Sequence, residues 1–198
     1  MSRVGKTIIQ IPSGVSVSFA DGIVKVDGPN GSLSQEIKQP ITVIADGGVV
    51  RVDRGGEEGR EARSLHGLYN RLIQNMVEGV SKGFTKTLIL NGVGYKVAQK
   101  GADLTLNLGL SHPVDVKAED GVKFKILTPQ EIQGLNLGKD GIGQVIQVIG
   151  ASKEKVGAVA SKIRDLRPVE PYHLYGVRYS TERIIRKESK SGAKGKKK

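Results

Sequence analysis

Cysteine is absent from this 198-residue chain, which excludes disulfides, thiolate chemistry and Cys-based metal sites together. Tryptophan is absent too, and aromatic residues make up only 4% of the chain, so its cores are expected to be aliphatic. The 3 histidines, His66, His112 and His173, stand far apart with no local partner at metal-ligand spacing. No apolar run approaches membrane-spanning length. The opening MSRVGKTIIQIP has no apolar core long enough for a signal peptide. These absences set the expectation of a soluble, cytoplasmic protein with no cofactor, no metal and no membrane partner.

What is abundant is glycine, at 27 residues, and positive charge, at a formal net +11. The charge is unevenly spread. From Arg183 to Lys198 there are 8 basic residues and 1 acid, so +7 of the +11 lies in that stretch and the preceding body carries +4. A mildly basic body with an intensely basic end points to a polyanion, and nucleic acid fits better than membrane because no amphipathic or lipidation signal accompanies the lysines. Just before this end lies IRDLRPVEPYHLYGVRY, from Ile163 to Tyr179. Pro168 disfavours helix for the residue before it, so a helical pattern stops at Arg167. Pro168 and Pro171 then stiffen an extended segment bearing Tyr172, Tyr175 and Tyr179, three of the 5 tyrosines. Packing on a sheet and stacking on a base both fit these rings.

Periodicity divides the rest into two similar units. Ile8 to Ile11 forms a short strand ended by Pro12. Val15, Val17 and Phe19 alternate with serines, Asp21-Gly22 turns the chain, and Val24 and Val26 resume the alternation, the pattern of a hairpin. Gly28-Pro29-Asn30-Gly31 turns into Leu33 to Ile37, and Ile41 to Ala45 pairs with Val49 to Val52 across Asp46-Gly47-Gly48. Ala62, Leu65, Tyr69, Leu72 and Met76 then recur at helical spacing, with Asn70 off the stripe, Glu57, Glu58 and Glu61 favouring the start and Gly79 as the stop. The second unit repeats the order: Thr87 to Leu90, Tyr95 to Ala98, alternating Leu104, Leu106 and Leu108, then Val114 and Val116, Val122 to Ile126, and Val145 to Val148. A helix follows, with Ser152 at its N-cap and Val156, Val159, Ile163 and Leu166 on one face. The glycine-rich Gln130 to Gln144 stretch reads as a loop inserted between two strands. The expected fold is α+β: two similar small domains, 1–82 and 83–179, each a mostly antiparallel sheet packed by one helix, with a basic C-terminal tail at 180–198.

Catalytic signals are missing. Gly134 to Asp140 has three spacers where a phosphate-binding loop needs four, and Asp140 stands at the place of its Ser or Thr. Gly92-Val93-Gly94 lacks the third glycine of a dinucleotide fingerprint. No carboxylate pair is marked out for acid/base work. Isolated lysines such as Lys25 and Lys86 read as solvating surface charge.

The ordered motifs MSRVGK, VDGPNGSL at Val26 to Leu33, LHG at Leu65 to Gly67, NMVEGVSKGF at Asn75 to Phe84, NGVGYKV at Asn91 to Val97, LGLSHPVDV at Leu108 to Val116 and IRDLRPVEPYHLYGVRY span nearly the whole chain. Together they resemble the bacterial large-subunit ribosomal protein L-six (uL-six) family. The resemblance implies a non-enzymatic, structural protein of two α+β domains that binds large-subunit rRNA near the base of the lateral stalk, where translation factors dock. It implies neighbouring large-subunit ribosomal proteins as further partners and no small-molecule substrate. Carried over residue by residue, it makes Arg164, Arg167, Tyr172, Arg178, Arg183, Arg186, Lys187 and Lys190 the rRNA-binding candidates, with Tyr95 and Lys96 beside them. The chain departs from the family in two places. Val169 replaces the second proline and His173-Leu174-Tyr175-Gly176 replaces a basic stretch, which removes two cations, and the Gln130 to Gln144 loop is longer than the family norm.

The expected mechanism is charge neutralisation with shape fit. Tail cations displace counterions from phosphates without regard to sequence, while the second domain and the Arg164 to Tyr179 segment supply specificity. A free RNA-binding regulator acting off the ribosome shares this composition and differs in where it resides; an enzyme would need a pocket of convergent titratable groups.

Overall fold

The computed structural model describes residues 4–56, 59–133, 143–188 and 190. The chain divides into two compact units, Met1–Phe84 with Gly150–Glu154, and Thr85–Ile149 with Lys155–Lys198.

In the first unit, β1 (Ile9–Gln10), β5 (Thr42–Asp46) and β6 (Val49–Asp53) form a sheet in the order β1-β6-β5. The strands β2 (Ser16–Ala20), β3 (Ile23–Gly28) and β4 (Gly31–Glu36) form a second sheet in chain order. Asp21 and Gly22 both take positive φ, at 52° and 75°, the turn whose twist suits a two-residue hairpin between β2 and β3. The helix α1 (Arg60–Ser81) lays Tyr69, Ile73, Met76, Val77 and Val80 against Val24, Val26, Val43, Val50 and Val52 from both sheets. These buried apolar side chains make the core, and the hydrophobic effect over their area is what fixes the helix on the strands.

Two details of α1 differ from expectation. The helix does not stop at Gly79 but continues to Ser81, and Gly83, with φ 78°, provides the left-handed residue just past its end. Gly79 is glycine for a packing reason: a Cβ there would overlap the Ala151 carbonyl oxygen. Asn70 turns inward rather than outward, and its Nδ2 donates to the Gly5 and Thr7 carbonyls at 3.1 and 2.8 Å, tying the N-terminal segment to the helix. His66 is buried as the helical stripe implies, with Nε2 3.0 Å from the Val52 carbonyl. The expectation that Glu57 and Glu58 favour the helix start falls outside the described residues, whereas Glu61 lies in the first turn.

The second unit follows the same plan. The strands β8 (Lys96–Lys100), β9 (Asp103–Asn107) and β10 (Val114–Val116) form a three-stranded meander, the counterpart of β2-β3-β4. A four-stranded sheet has the order β11-β12-β7-β13, from β7 (Phe84–Asn91), β11 (Val122–Ile126), β12 (Gln144–Gly150) and β13 (Gly176–Tyr179). Its first three strands run in the same relative order as β5-β6-β1. The duplication is thus visible in topology where residue identity is low. Every strand pair with a described register is antiparallel. The helix α3 (Lys153–Leu166) follows Ser152 directly and buries Val156, Val159, Ala160 and Ile163, with Leu166 half-buried.

Part of the stretch read as a loop is helical. The short helix α2 (Pro129–Gln133) follows Thr128, whose backbone N–H donates to Glu131 Oε2 at 2.9 Å, and Ile132 packs on Ile89, Leu127 and Val145. Residues 134–142 of the expected loop lie outside the described residues.

Candidate nucleic-acid interface

The strand β13 is what the second unit adds to the duplicated plan. Among the described residues no strand pairs with the free side of β1, whereas the equivalent side of β7 takes β13 in antiparallel register, Gly176 to Asn91 through Tyr179 to Leu88. Three consecutive residues of β7, Leu88, Ile89 and Leu90, are fully buried, so the added strand rests on a rigid platform.

The segment leading into β13 folds back on itself. The Val177 amide donates to the Arg167 carbonyl at 2.9 Å, Glu170 to Tyr175 at 2.9 Å and Leu174 to Glu170 at 2.9 Å. Leu174 takes a left-handed φ of 64° and its carbonyl accepts from Asn91 Nδ2 at 3.2 Å. In the stretch that replaces the family's basic one, His173 stacks on Tyr175 with ring centroids 5.6 Å apart and pairs with Glu170 through Nδ1 at 3.1 Å. The three tyrosines differ in burial. Tyr179 is half-buried in the strand beneath the Lys86 ammonium, 5.9 Å from the ring centroid, while Tyr172 and Tyr175 stay exposed.

Beyond β13 the chain remains tied to the unit. The Ser180 amide extends the ladder to Thr87 at 3.0 Å, Arg186 Nε donates to the Tyr172 carbonyl at 3.1 Å, and the Lys187 amide donates to Pro171 at 2.9 Å. Glu182 is the centre of this arrangement. Its carboxylate accepts from Arg164 Nη2 at 2.7 Å and Nε at 3.2 Å, a two-pronged pairing, and from the Tyr179 amide at 3.3 Å. The Arg164 guanidinium, the Tyr179 N–H and the charge of Arg178 hold the Glu182 carboxyl below the ordinary carboxylate range, against the opposing effect of partial burial. Hydrogen bonding to Glu182 in turn raises Arg164 further, so both ends of the pair are charged at neutral pH.

The ten sequence candidates are therefore not equivalent. Arg186, Tyr172 and Lys187 are brought together by backbone-directed hydrogen bonds around Pro171. Arg167, Arg183, Lys187 and Lys190 are exposed, with no carboxylate partner among the described residues. Arg164 is committed to Glu182 and Asp165. Arg178 sits half-buried in β13 with its Nε enclosed and without a hydrogen-bond partner. Tyr95 lies in the turn after β7 with its ring covering Gly92, and Lys96 is exposed at the start of β8. Two residues of the arrangement escape a sequence reading: Glu182, an acid in a basic region, and Lys86, which reads as ordinary surface charge. Their contacts span 18 residues for Glu182 to Arg164 and run from β7 to β13 for Lys86, so no local spacing marks them.

Comparison with known proteins agrees with this architecture. A family model described as "Ribosomal protein L6" matches residues 11–83 and 91–180. The "Large ribosomal subunit protein uL6" of Staphylococcus saprophyticus is 43% identical over 192 residues, covering 97% of this chain and 99% of that protein. The proteins of the same name from Staphylococcus epidermidis and Staphylococcus aureus are each 44% identical over the same span. The chain belongs to the ribosomal protein L6 family, and it is a structural ribosomal protein, not an enzyme.

Proposed function

We propose that this protein is a structural constituent of the large ribosomal subunit that binds large-subunit rRNA near the stalk base and the factor-binding region and stabilises its folded structure. It works in the cytoplasm, within the ribosome, beside neighbouring large-subunit proteins. Of the domains read from the sequence, the first, 1–82, acts as scaffold; the second, 83–179, carries the rRNA-binding edge; and 180–198 adds charge. The observation that supports this reading best is the edge strand β13 with its docked continuation, which ties Tyr172, Arg186 and Lys187 together while leaving them exposed. Arg167, Lys190, Tyr95 and Lys96 complete the proposed contacts, with Arg164 and Arg178 beside them. Cations on a fixed framework position phosphates, and exposed aromatic rings offer stacking faces to unpaired bases.

The test is binding to large-subunit rRNA across a salt series, with competitor tRNA present, for the full chain and for a truncation after Lys187. The full chain should prefer the rRNA. The truncation should keep that preference while losing affinity and salt dependence, because the removed lysines act without regard to sequence. A full chain that does not distinguish rRNA from tRNA overturns the reading.

A further inference from the structure

An acid at the heart of a basic edge needs an explanation, because near a polyanion a carboxylate repels the ligand. Glu182 is that acid. It is not a solvated bystander: three nitrogen donors converge on its two oxygens, two from Arg164 and one from the Tyr179 backbone, and its side chain is only 27% exposed. Its own amide closes a turn onto the Tyr179 carbonyl at 3.1 Å. The pair connects α3 to the chain just after β13, at the point where the strand ladder ends and the basic sequence begins. Immediately beyond it, Arg186 and Lys187 are tied to the Tyr172 and Pro171 carbonyls.

We propose that Glu182 is a positioning residue for RNA binding: clamped by Arg164, it holds the segment 183–187 on the second unit so that Arg183, Arg186 and Lys187 meet the RNA from a preset framework. This rests on the rRNA-binding reading above and changes the role of one of its candidates, since Arg164 then acts through Glu182 and not on a phosphate. The physical gain is preorganisation. A cationic segment ordered before binding loses less conformational freedom when phosphates are engaged, and the ordering of each long side chain matters to affinity.

The proposal makes a prediction opposite in sign to simple electrostatics. Removing a negative charge from a polyanion-binding surface tightens binding if charge alone matters. Under the clamp, Glu182→Gln in the full chain weakens binding to large-subunit rRNA by roughly three- to tenfold, the size expected from ordering one or two side chains. Competitor tRNA binding stays the same or tightens slightly. Arg164→Ala gives a similar loss with the salt slope unchanged, whereas loss of a direct phosphate contact lowers the slope by about one. The double variant is no worse than either single one, the signature of two groups acting as a unit.

A readout on the unsubstituted protein keeps the test independent of any variant's folding. In the free wild-type chain the Lys187 amide, bonded to Pro171, should exchange with solvent well below the rate of an unstructured amide, and Glu182→Gln should release it. Random-coil exchange at Lys187 in the wild type overturns the clamp, as does a Glu182→Gln protein that binds rRNA as well as wild type or better. A wild type without preference for rRNA over tRNA instead overturns the functional reading itself, which separates the two failures.

Discussion

At Gly176, the first residue of β13, the absence of a side chain decides whether the edge can close. Its φ of 141° is a conformation that L side chains rarely adopt. A Cβ there would stand 2.6 Å from Val169 Cα and 2.7 Å from the Pro168 carbonyl oxygen. Both neighbours are backbone atoms, so no rotamer change relieves the overlap. Gly176→Ala should cost about 2–3 kcal/mol, combining overpacking with backbone strain, read as a lower midpoint in urea unfolding. Because the strain falls on the turn carrying Pro171 and Tyr172, rRNA binding should weaken in the same variant. A midpoint within error of wild type would show that the segment from Pro168 to Gly176 is looser than its hydrogen bonds indicate. Residue identity made part of this legible in advance: the two prolines mark a restricted segment, although it folds back on itself where an extended one is expected. The close approach of Val169 to Gly176 does not follow from sequence, since it depends on how the strand docks on β7.

The elements were legible wherever one period dominated. The hairpin from Ser16 to Gly28 and the stripe of α1 are read directly from alternation and helical spacing, because one face of each is buried and the other is wet. Two elements escape for different reasons. The strand β13 has too few residues to show a period, and its strand character comes from pairing with β7, a tertiary event. The helix α2 carries a readable signal in Thr128-Pro129-Gln130-Glu131, an N-cap threonine, a proline at the first helical position and a glutamate at the third, but the glycines that follow mask it. In the structure Glu131 accepts from the Thr128 backbone amide and hydroxyl at 2.9 and 3.1 Å and from Lys125 Nζ at 2.6 Å. The hydrogen bond from Lys125, followed by those from Thr128, lowers the Glu131 carboxyl to about 2. A depressed carboxyl stabilises the fold above its ordinary value of 4.5 and loses that contribution as pH falls toward 2. A carboxyl-detected NMR titration should place the wild-type midpoint near 2 and move it upward in Lys125→Met. A wild-type midpoint near 4.5 would mean the cap does not form in solution.

In the proposed rRNA binding, charge and fold divide the work across the whole molecule, and the division falls inside the basic end rather than at its start. Composition alone identifies one run of cations from Arg183 onward. The structure separates it: Arg183, Arg186 and Lys187 follow the Glu182 clamp and lie within the docked segment, whereas Lys190, Lys194, Lys196, Lys197 and Lys198 come after the last described tie to the second unit. Cations that engage phosphates by charge alone contribute affinity and salt dependence in proportion to their number, and do so for any RNA. Cations held in a fixed array contribute to discrimination as well, because only an RNA whose phosphates match the array engages all of them. Removing the five terminal lysines should therefore lower binding to rRNA and tRNA by similar factors, with up to about five units lost from the salt slope if all were engaged. Cutting three residues' worth of charge further back, after Glu182, should reduce the slope by only about three more while lowering the rRNA-over-tRNA ratio by roughly tenfold, at about 1.4 kcal/mol per decade. Equal loss on both RNAs at this second step would place Arg183, Arg186 and Lys187 with the sequence-independent lysines, and would leave discrimination to the rest of the second domain.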